Sequence, residues 1–397
     1  MRIIHATNSL ARSGGGLPPV VWGLALQQHA ARHHVRVMGL EDPHDRKDWP
    51  ADRDPGMEVK TFPRTGPAKA AFSRGLHAAL LDRSVGGDAD VLHQHGLWTM
   101  LSHSVHRCRK RWRLPSVITP HGMLDEPRLK VSKWKKRLFA LVWERRNLRS
   151  ASCIHALCDA EAESIRRFGI DVPVFVIPNG INVEDYADLP DGTQFARRFA
   201  GCKDRRVVLY LGRIHPLKGL SPLLDAWKRI ASKRHNDWIL AVAGISQLGF
   251  EEEMKQKALA TGLQDRVLFT GPLYGRAKLE AFSAASVFVL PSFSEGFAIT
   301  VLEAMACKIP LVITRQCNFP RVATEGAGWV GRPNADSLAE LLDAALSSSE
   351  WELKMVGRRG YDLVRREYAW EQVGRRMLDV YQWMLGGGSM PACLRAA

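Results

Sequence analysis

Along the chain, short runs of apolar residues alternate with longer stretches in which apolar positions recur every three or four residues. The short runs, "RIIHA", "VRVMGL", "DVLHQHG", "SVITPHG", "CIHALC" and "VFVIPNG", read as strands, and stretches such as "PPVVWGLALQQHAARH" have the period of helices. This alternation predicts parallel sheets covered by helices. After the polar, turn-rich stretch "INVEDYADLPDGTQFARRFAGCKDRR" the pattern starts again with "VVLYLGR", "WILAVAG", "RVLFTG", "VFVLPS" and "PLVIT". The expectation is an α/β protein of two doubly wound domains with a boundary near residues 180–205, one domain over 1–190 and the other over 200–369. A last helix carries Trp370, Val373, Met377, Val380, Tyr381 and Met384 along one stripe. The tail "GGGSMPACLRAA" is expected to fray. In such sheets ligands bind beyond the carboxyl ends of the strands, so the strand exits are where chemistry is sought.

Composition narrows the classes. At 397 residues and 46% hydrophobic content the chain can bury sizeable cores. It contains no apolar run of the roughly 18 residues a membrane-spanning helix needs and no signal-peptide pattern at "MRIIHATNS", which leads us to expect a cytoplasmic protein. Seven scattered cysteines form neither a CxxC pair nor a secreted disulfide framework, so reduced thiols and no zinc site are expected. A net charge of +15 implies an anionic partner. The charge concentrates between Arg107 and Arg149. There Val131, Trp134, Leu138, Leu141 and Leu148 recur at helical spacing beside Lys133, Lys136, Arg137 and Arg145. Residues 130–149 therefore read either as a helix on an anionic membrane surface or as a core-packed helix with a solvated basic face. A nucleic-acid binder is disfavoured, because the basic run lacks interleaved exposed aromatics and paired carboxylates would repel phosphates.

Four motifs carry candidate chemistry. In "SEGFAITVLEAMACKIPLV", Glu295 and Glu303 stand eight positions apart in an otherwise apolar run. Read as strand exit followed by helix, the segment places the amides of Gly296, Phe297 and Ala298 at the helix start as an anion site. Glu303, inside the helix, would then be satisfied by a diol such as a ribose, and Glu295 would point at a sugar attached to the anion. The plain alternative is a helix-terminal carboxylate plus a salt-bridged core glutamate. In "YLGRIHPLKGL", Lys218 falls near a helix start, where a cation needs an anion to offset the dipole, and Arg213 can offer a planar fork to the same anion. The alternative is two surface cations on a loop. In "SLARSGGGLPPVV", Gly14, Gly15 and Gly16 would let backbone and helix amides approach a ligand, or would simply form a flexible turn. Finally, His121 in "TPHGMLDE" and His95 in "HQHGLW" lie at strand ends, where a side chain is exposed for function, although a lone histidine is usually structural. Asp88 and Asp90 precede a strand, at the wrong end of the sheet for a metal-bound ligand, and read as solvated turn acids.

With these residues in view, the chain resembles the retaining glycosyltransferases of family 4, over nearly its whole length. The resemblance is carried by the E-x7-E spacing of Glu295 and Glu303, "GRIHPLKG", "TPHGMLDE", "VIPNGIN" and the glycine loop, in the family's order. It implies the GT-B fold: two Rossmann-like domains facing a central cleft, with the last helix, 370–385, crossing back to the N-terminal domain. By the family's pattern Arg213 and Lys218 hold the donor diphosphate, Glu303 the ribose, and Glu295 the transferred sugar, while His121 faces the reaction centre. The implied partners are a nucleotide-diphosphate sugar and a glycan or polyprenyl-diphosphate-linked acceptor of exopolysaccharide or lipopolysaccharide synthesis, with no metal and no cofactor beyond that co-substrate. A sugar-nucleotide epimerase or a phosphorylase on the same architecture is the alternative. The glycine triplet followed by Leu17 and Pro18 departs from many members of the family.

Overall fold

The computed structural model describes residues 1–10, 16–41, 56–66, 70–130, 134, 136, 139–231 and 235–395. Gly14 and Gly15 lie outside the described residues, as do Val131, Lys133, Arg137 and Leu138 of the basic segment. The chain divides into two compact units: Met1–Gly180 with Trp370–Ala397, and Ile181–Ala369.

The first unit is built on strands β1 (Arg2–Thr7), β2 (His34–Leu40), β3 (Glu58–Phe62), β4 (Val91–His95), β5 (Ser116–Thr119), β6 (Cys153–Ala156), β7 (Val174–Val176) and, from the end of the chain, β14 (Leu394–Arg395). Their order is β14-β7-β6-β5-β4-β1-β2-β3, and β14 alone runs antiparallel to its neighbour. The strands are nearly continuous in apolar residues because helices cover both faces. Register sets His5 opposite His93, Thr7 opposite His95, and His95 opposite Thr119. Because side chains alternate along a strand, all of these project from one face of the sheet.

The helix Trp370–Met384 belongs to this unit, and Trp370, Val373, Met377, Val380 and Tyr381 are its buried stripe. It packs on the helix Leu17–Ala30, where a Cβ added at Gly23 would lie 2.1 Å from the Trp370 ring; only a glycine admits the indole. The segment Ala140–Glu144 is a π-helical turn followed by the helix Arg145–Arg149. The wider turn breaks the phase of the apolar positions. Leu148 and Ala140 are buried, whereas Leu141 and Trp134 are 76% and 68% exposed, so the expected single stripe is divided between interior and solvent.

The second unit holds β8 (Arg206–Leu211), β9 (Trp238–Ala243), β10 (Val267–Gly271), β11 (Ala285–Leu290), β12 (Leu311–Thr314) and β13 (Gly328–Gly331), all parallel, in the order β10-β9-β8-β11-β12-β13. Trp227, Trp238, Tyr210, Phe282 and Phe288 are among its fully buried side chains. The polar stretch after residue 180 forms short helical pieces of this unit, Val183–Tyr186, Thr193–Arg198 and Ala200–Cys202. The chain enters and leaves the unit side by side: Ile181 bridges Ala369, and its amide donates to the Tyr368 carbonyl at 2.8 Å. Among the described residues, no helix is long and apolar enough to cross a membrane.

Candidate active site

In the second unit the exits of the adjacent strands β8 and β11 bring two of the motifs together. After β8 the chain makes a one-turn 3-10 helix, Pro216–Lys218, capped by the His215 side chain, and ends it at Gly219 with φ 72°. A Cβ there would meet the Pro291 carbonyl oxygen at 1.9 Å, so the two exits approach as closely as backbone permits. The Phe293 amide then donates to the Leu217 carbonyl at 2.9 Å and ties one exit to the other. This places Lys218, 9% exposed, with its Nζ 2.5 Å from Glu295 Oε1. The anion that Lys218 needs at a helix start is Glu295. Ser292 Oγ donates to the same oxygen at 2.7 Å, and Asn318 Nδ2 donates to the Glu295 carbonyl at 2.8 Å, which fixes the loop. Arg213 is exposed; its backbone carbonyl accepts from the Tyr210 hydroxyl at 2.8 Å and its Nη1 donates to Gln247 Oε1 at 3.1 Å. The charges of Arg213 and Lys218 both bear on His215, whose pKa is lowered first by burial and then by those two cations.

The helix after β11 is Ile299–Ala306 with Ala298 as its N-cap. Gly296 and Phe297 therefore lie in the loop ahead of it and are not its first amides, which corrects the expectation for those two positions. The Phe297 ring instead packs 4.7 Å from Phe319 and 6.3 Å from Tyr368. The Val301 amide bonds back to Ala298, so the donors left at this end are those of Ile299 and Thr300. Glu303 lies just over one turn in and is 8% exposed. Its Oε1 accepts from Lys278 Nζ at 2.8 Å and from the Tyr186 hydroxyl at 2.9 Å. Beside it, burial and then the Glu303 charge push the Tyr186 hydroxyl and the Cys307 thiol well above their usual ranges. Each glutamate thus receives both its side-chain donors on one oxygen, and no described side chain donates to the other, Oε2.

In the first unit His121 follows β5 with φ 54°, a left-handed conformation costly for a side chain with a Cβ. The buried Glu161 holds the turn: its carboxylate accepts from the Gly122 amide at 2.5 Å and the Leu157 amide at 2.8 Å, and burial pushes its pKa up to about 7. His121 Nε2 lies 3.2 Å from His95 Nδ1. His95 ends β4, as expected, but is fully buried, which corrects the expectation that it is exposed there. Gly16 is exposed, with φ −77°, and a Cβ there would meet nothing within 4 Å, so no special backbone is required of it. Pro18 and Pro19 stand in the first turn of the next helix and lack N–H groups, so the expected row of outward amides is absent at those positions. Asp88 and Asp90 both pair with Arg2, as turn acids do.

Sequence reasoning missed Tyr186, Lys278, Ser292 and Asn318. Lys278 is one lysine on an ordinary amphipathic helix, and only its meeting with Glu303 gives it meaning. It also missed Glu144, which turns inward from the basic segment and accepts from the Trp98 amide at 2.9 Å and Ser102 Oγ at 3.0 Å.

Known proteins share both units. Residues 15–180 match the family "Glycosyl transferase 4-like domain" and residues 193–361 match "Glycosyl transferases group 1". A D-inositol 3-phosphate glycosyltransferase of Streptomyces bingchenggensis is 27% identical over 331 residues, 80% of this chain and 71% of its own. The lipopolysaccharide core biosynthesis mannosyltransferase LpsB of Rhizobium meliloti is 30% identical over 222 residues, 54% of this chain and 62% of its own. Among solved structures, the Anabaena protein HepE in complex with UDP and glucose shares the fold with a TM-score of 0.76 at 17% identity, over 96% of this chain and 100% of that one.

Proposed function

Given that the chain belongs to the GT-B glycosyltransferases of the family 4 type, we propose that it transfers a sugar, with retention, from a nucleotide-diphosphate sugar to a glycan or lipid-linked saccharide. The observation that carries this reading is the placement of the two glutamates. Each binds a lysine through Oε1 and keeps Oε2 for a further donor, which suits hydroxyl groups of a bound sugar and ribose. In this reading Glu303 takes the ribose and Glu295 the transferred sugar. As the bond to the anomeric carbon breaks, negative charge gathers on the leaving diphosphate. Arg213, Lys218 and the Ile299 and Thr300 amides meet that charge where it develops, and one such donor is worth about 3 to 4 kcal/mol of transition-state stabilisation. With the charge met by these side chains, we assign no role to a metal. The UDP and glucose bound by HepE make UDP the first nucleotide to try.

A thermal-shift panel of UDP, GDP and ADP with their sugars should give one nucleotide that raises the melting point, since a ligand selective for the native state stabilises it. Glu303→Ala should weaken that nucleotide in calorimetry, and Arg213→Ala should chiefly lower turnover. If both variants bind and turn over like the parent, the site is wrong. Incorporation of label from the donor into an acceptor, against release of free sugar or an altered nucleotide sugar, separates transfer from epimerase or phosphorylase chemistry. The anomeric configuration of the product tests retention, and activity unchanged by a chelator tests metal independence.

A membrane-linked acceptor is favoured by one further observation. Leu141 and Val142 are exposed beside the exposed Arg145, Arg146 and Arg149, an apolar and cationic surface suited to anionic lipid. The LpsB relative is named for lipopolysaccharide core synthesis, which agrees with such an acceptor. Vesicles containing anionic lipid should float the protein and neutral vesicles should not; equal recovery from both would remove electrostatic docking.

A further inference from the structure

Nine groups of the first unit form one continuous line of hydrogen bonds whose direction is dictated from one end. His155 Nε2 lies 2.7 Å from the Ile177 carbonyl oxygen, which can only accept. His155 Nε2 must therefore carry the proton, which leaves Nδ1 as acceptor for the Thr119 hydroxyl at 2.9 Å. With its one hydrogen spent, Thr119 Oγ1 accepts from His93 Nε2 at 2.6 Å. His93 Nδ1 then accepts from the Tyr381 hydroxyl at 2.6 Å. The Tyr381 oxygen in turn accepts from Gln28 Nε2 at 3.5 Å, which turns Gln28 Oε1 toward His5 Nε2 at 2.7 Å. His5 Nε2 donates there, so its Nδ1 accepts from His95 Nε2 at 2.9 Å, and His95 Nδ1 accepts from His121 Nε2 at 3.2 Å.

We propose that the Ile177 carbonyl, acting through His155, Thr119, His93, Tyr381, Gln28, His5 and His95, locks His121 in the tautomer that presents an unprotonated Nδ1. Gln28 and Tyr381 are positioning residues for His121, although neither is adjacent to it in the chain of contacts. The ordered line requires neutral rings, and burial supplies them: it holds His5 and His155 down to about 4, His121 down to about 3, and His93 and His95 well below the usual value. A metal is the competing use of this cluster, because ligand nitrogens of His5, His93 and His95 all lie within 4.8 Å of one another. In the chain above, however, the lone pair of each of the three already accepts a hydrogen bond, and a cation would have to displace all three. That the His121 lone pair accepts from a sugar hydroxyl rests on the proposed function; the lock itself does not.

The full chain with nitrogen-15-labelled histidine reports each ring's tautomer by nuclear magnetic resonance without any sugar present. At pH 7 the rings of His5, His93, His95, His121 and His155 should all be protonated at Nε2 and bare at Nδ1, with His121 assigned by its loss in His121→Gln. Tyr381→Phe cuts the line at its middle and should turn the single His121 tautomer into a mixture. His5→Gln keeps an acceptor toward His95 and a donor toward Gln28, and should preserve the parent pattern at His121. Should Tyr381→Phe not fold, Gln28→Leu makes the same cut, and the parent spectrum still decides. A proton on His121 Nδ1 in the parent, an unchanged single tautomer in both cut variants, or zinc shifting His5, His93 and His95 together would each overturn the lock. Because no donor or acceptor sugar enters the experiment, its failure is distinct from failure of the transferase reading.

Discussion

The two units bury polar side chains against their parallel sheets with opposite electrostatics. In the first, five histidines, on β1, β4 and β6 and just after β5, have their charges disfavoured by burial and, in the proposed line, share their hydrogens in one order. In the second, Lys218 meets Glu295 and Lys278 meets Glu303 as ion pairs. Desolvation decides between these solutions. A ring deep in a covered sheet can give up its proton and remain a directional donor and acceptor, whereas a lysine and a carboxylate brought together offset each other across an ion pair. Neutral polarity suits a site that must aim a lone pair. Charge suits the phosphate-meeting role proposed for the second.

Acidification should break the contrast most strongly. The unfolded histidines take protons near pH 6.5, but the folded ones only near 4 or below, so between about pH 6.5 and 4 the unfolded state binds more protons and the first unit loses stability as pH falls. Each ring contributes on the order of 1 to 2 kcal/mol to this loss between pH 7 and pH 5. Glu161, with a folded pKa of about 7, and Glu144 and Asp125, also raised by burial, act in the opposite sense, but the lowered histidines, among them His106 near 4, outnumber them. Denaturant-dependent hydrogen exchange of β4 and β5 peptides at the two pH values should show the loss, with β8 and β11 peptides changing less. In the second unit, Lys218→Ala leaves Glu295 buried without its cation and should destabilise that unit by about 3 to 5 kcal/mol. Lys218→Met combined with Glu295→Gln should restore most of the stability in urea unfolding and none of the turnover. Tyr186→Phe removes one donor from Glu303 at a cost of about 1.5 to 3 kcal/mol and leaves the Lys278 pair in place. Gly16→Ala should change stability by less than about 0.5 kcal/mol, because its φ is ordinary and the space beside it is open.

Much of this architecture is written in local pattern. Continuous apolar runs announce the parallel strands, and the stripe from Trp370 to Tyr381 announces a buried helix. The carboxylates of Glu295 and Glu303 were visible because charge in an apolar run demands a partner. The partners were not visible: Lys278 and Tyr186 stand 25 and 117 residues from Glu303 in sequence, and no local period marks them. The π-helical turn at Ala140–Glu144 misled the reading of the basic segment, since a strict helical period puts Leu141 and Leu148 on one side. The histidines illustrate the deepest limit. Each looks unremarkable beside its own strand, and only strand order makes them neighbours.

The side-by-side entry and exit at Ile181 and Ala369 also has a consequence for the order in which the protein is built. Residues 181–369 form an uninterrupted block, so the ribosome delivers everything that unit contains before it supplies the segment 370–395. The unit made first must wait for that late segment to receive Trp370, Val373, Met377 and β14. Tyr381 arrives in the same delivery, so a nascent chain halted after residue 369 carries the histidines of the first sheet but cannot yet connect them.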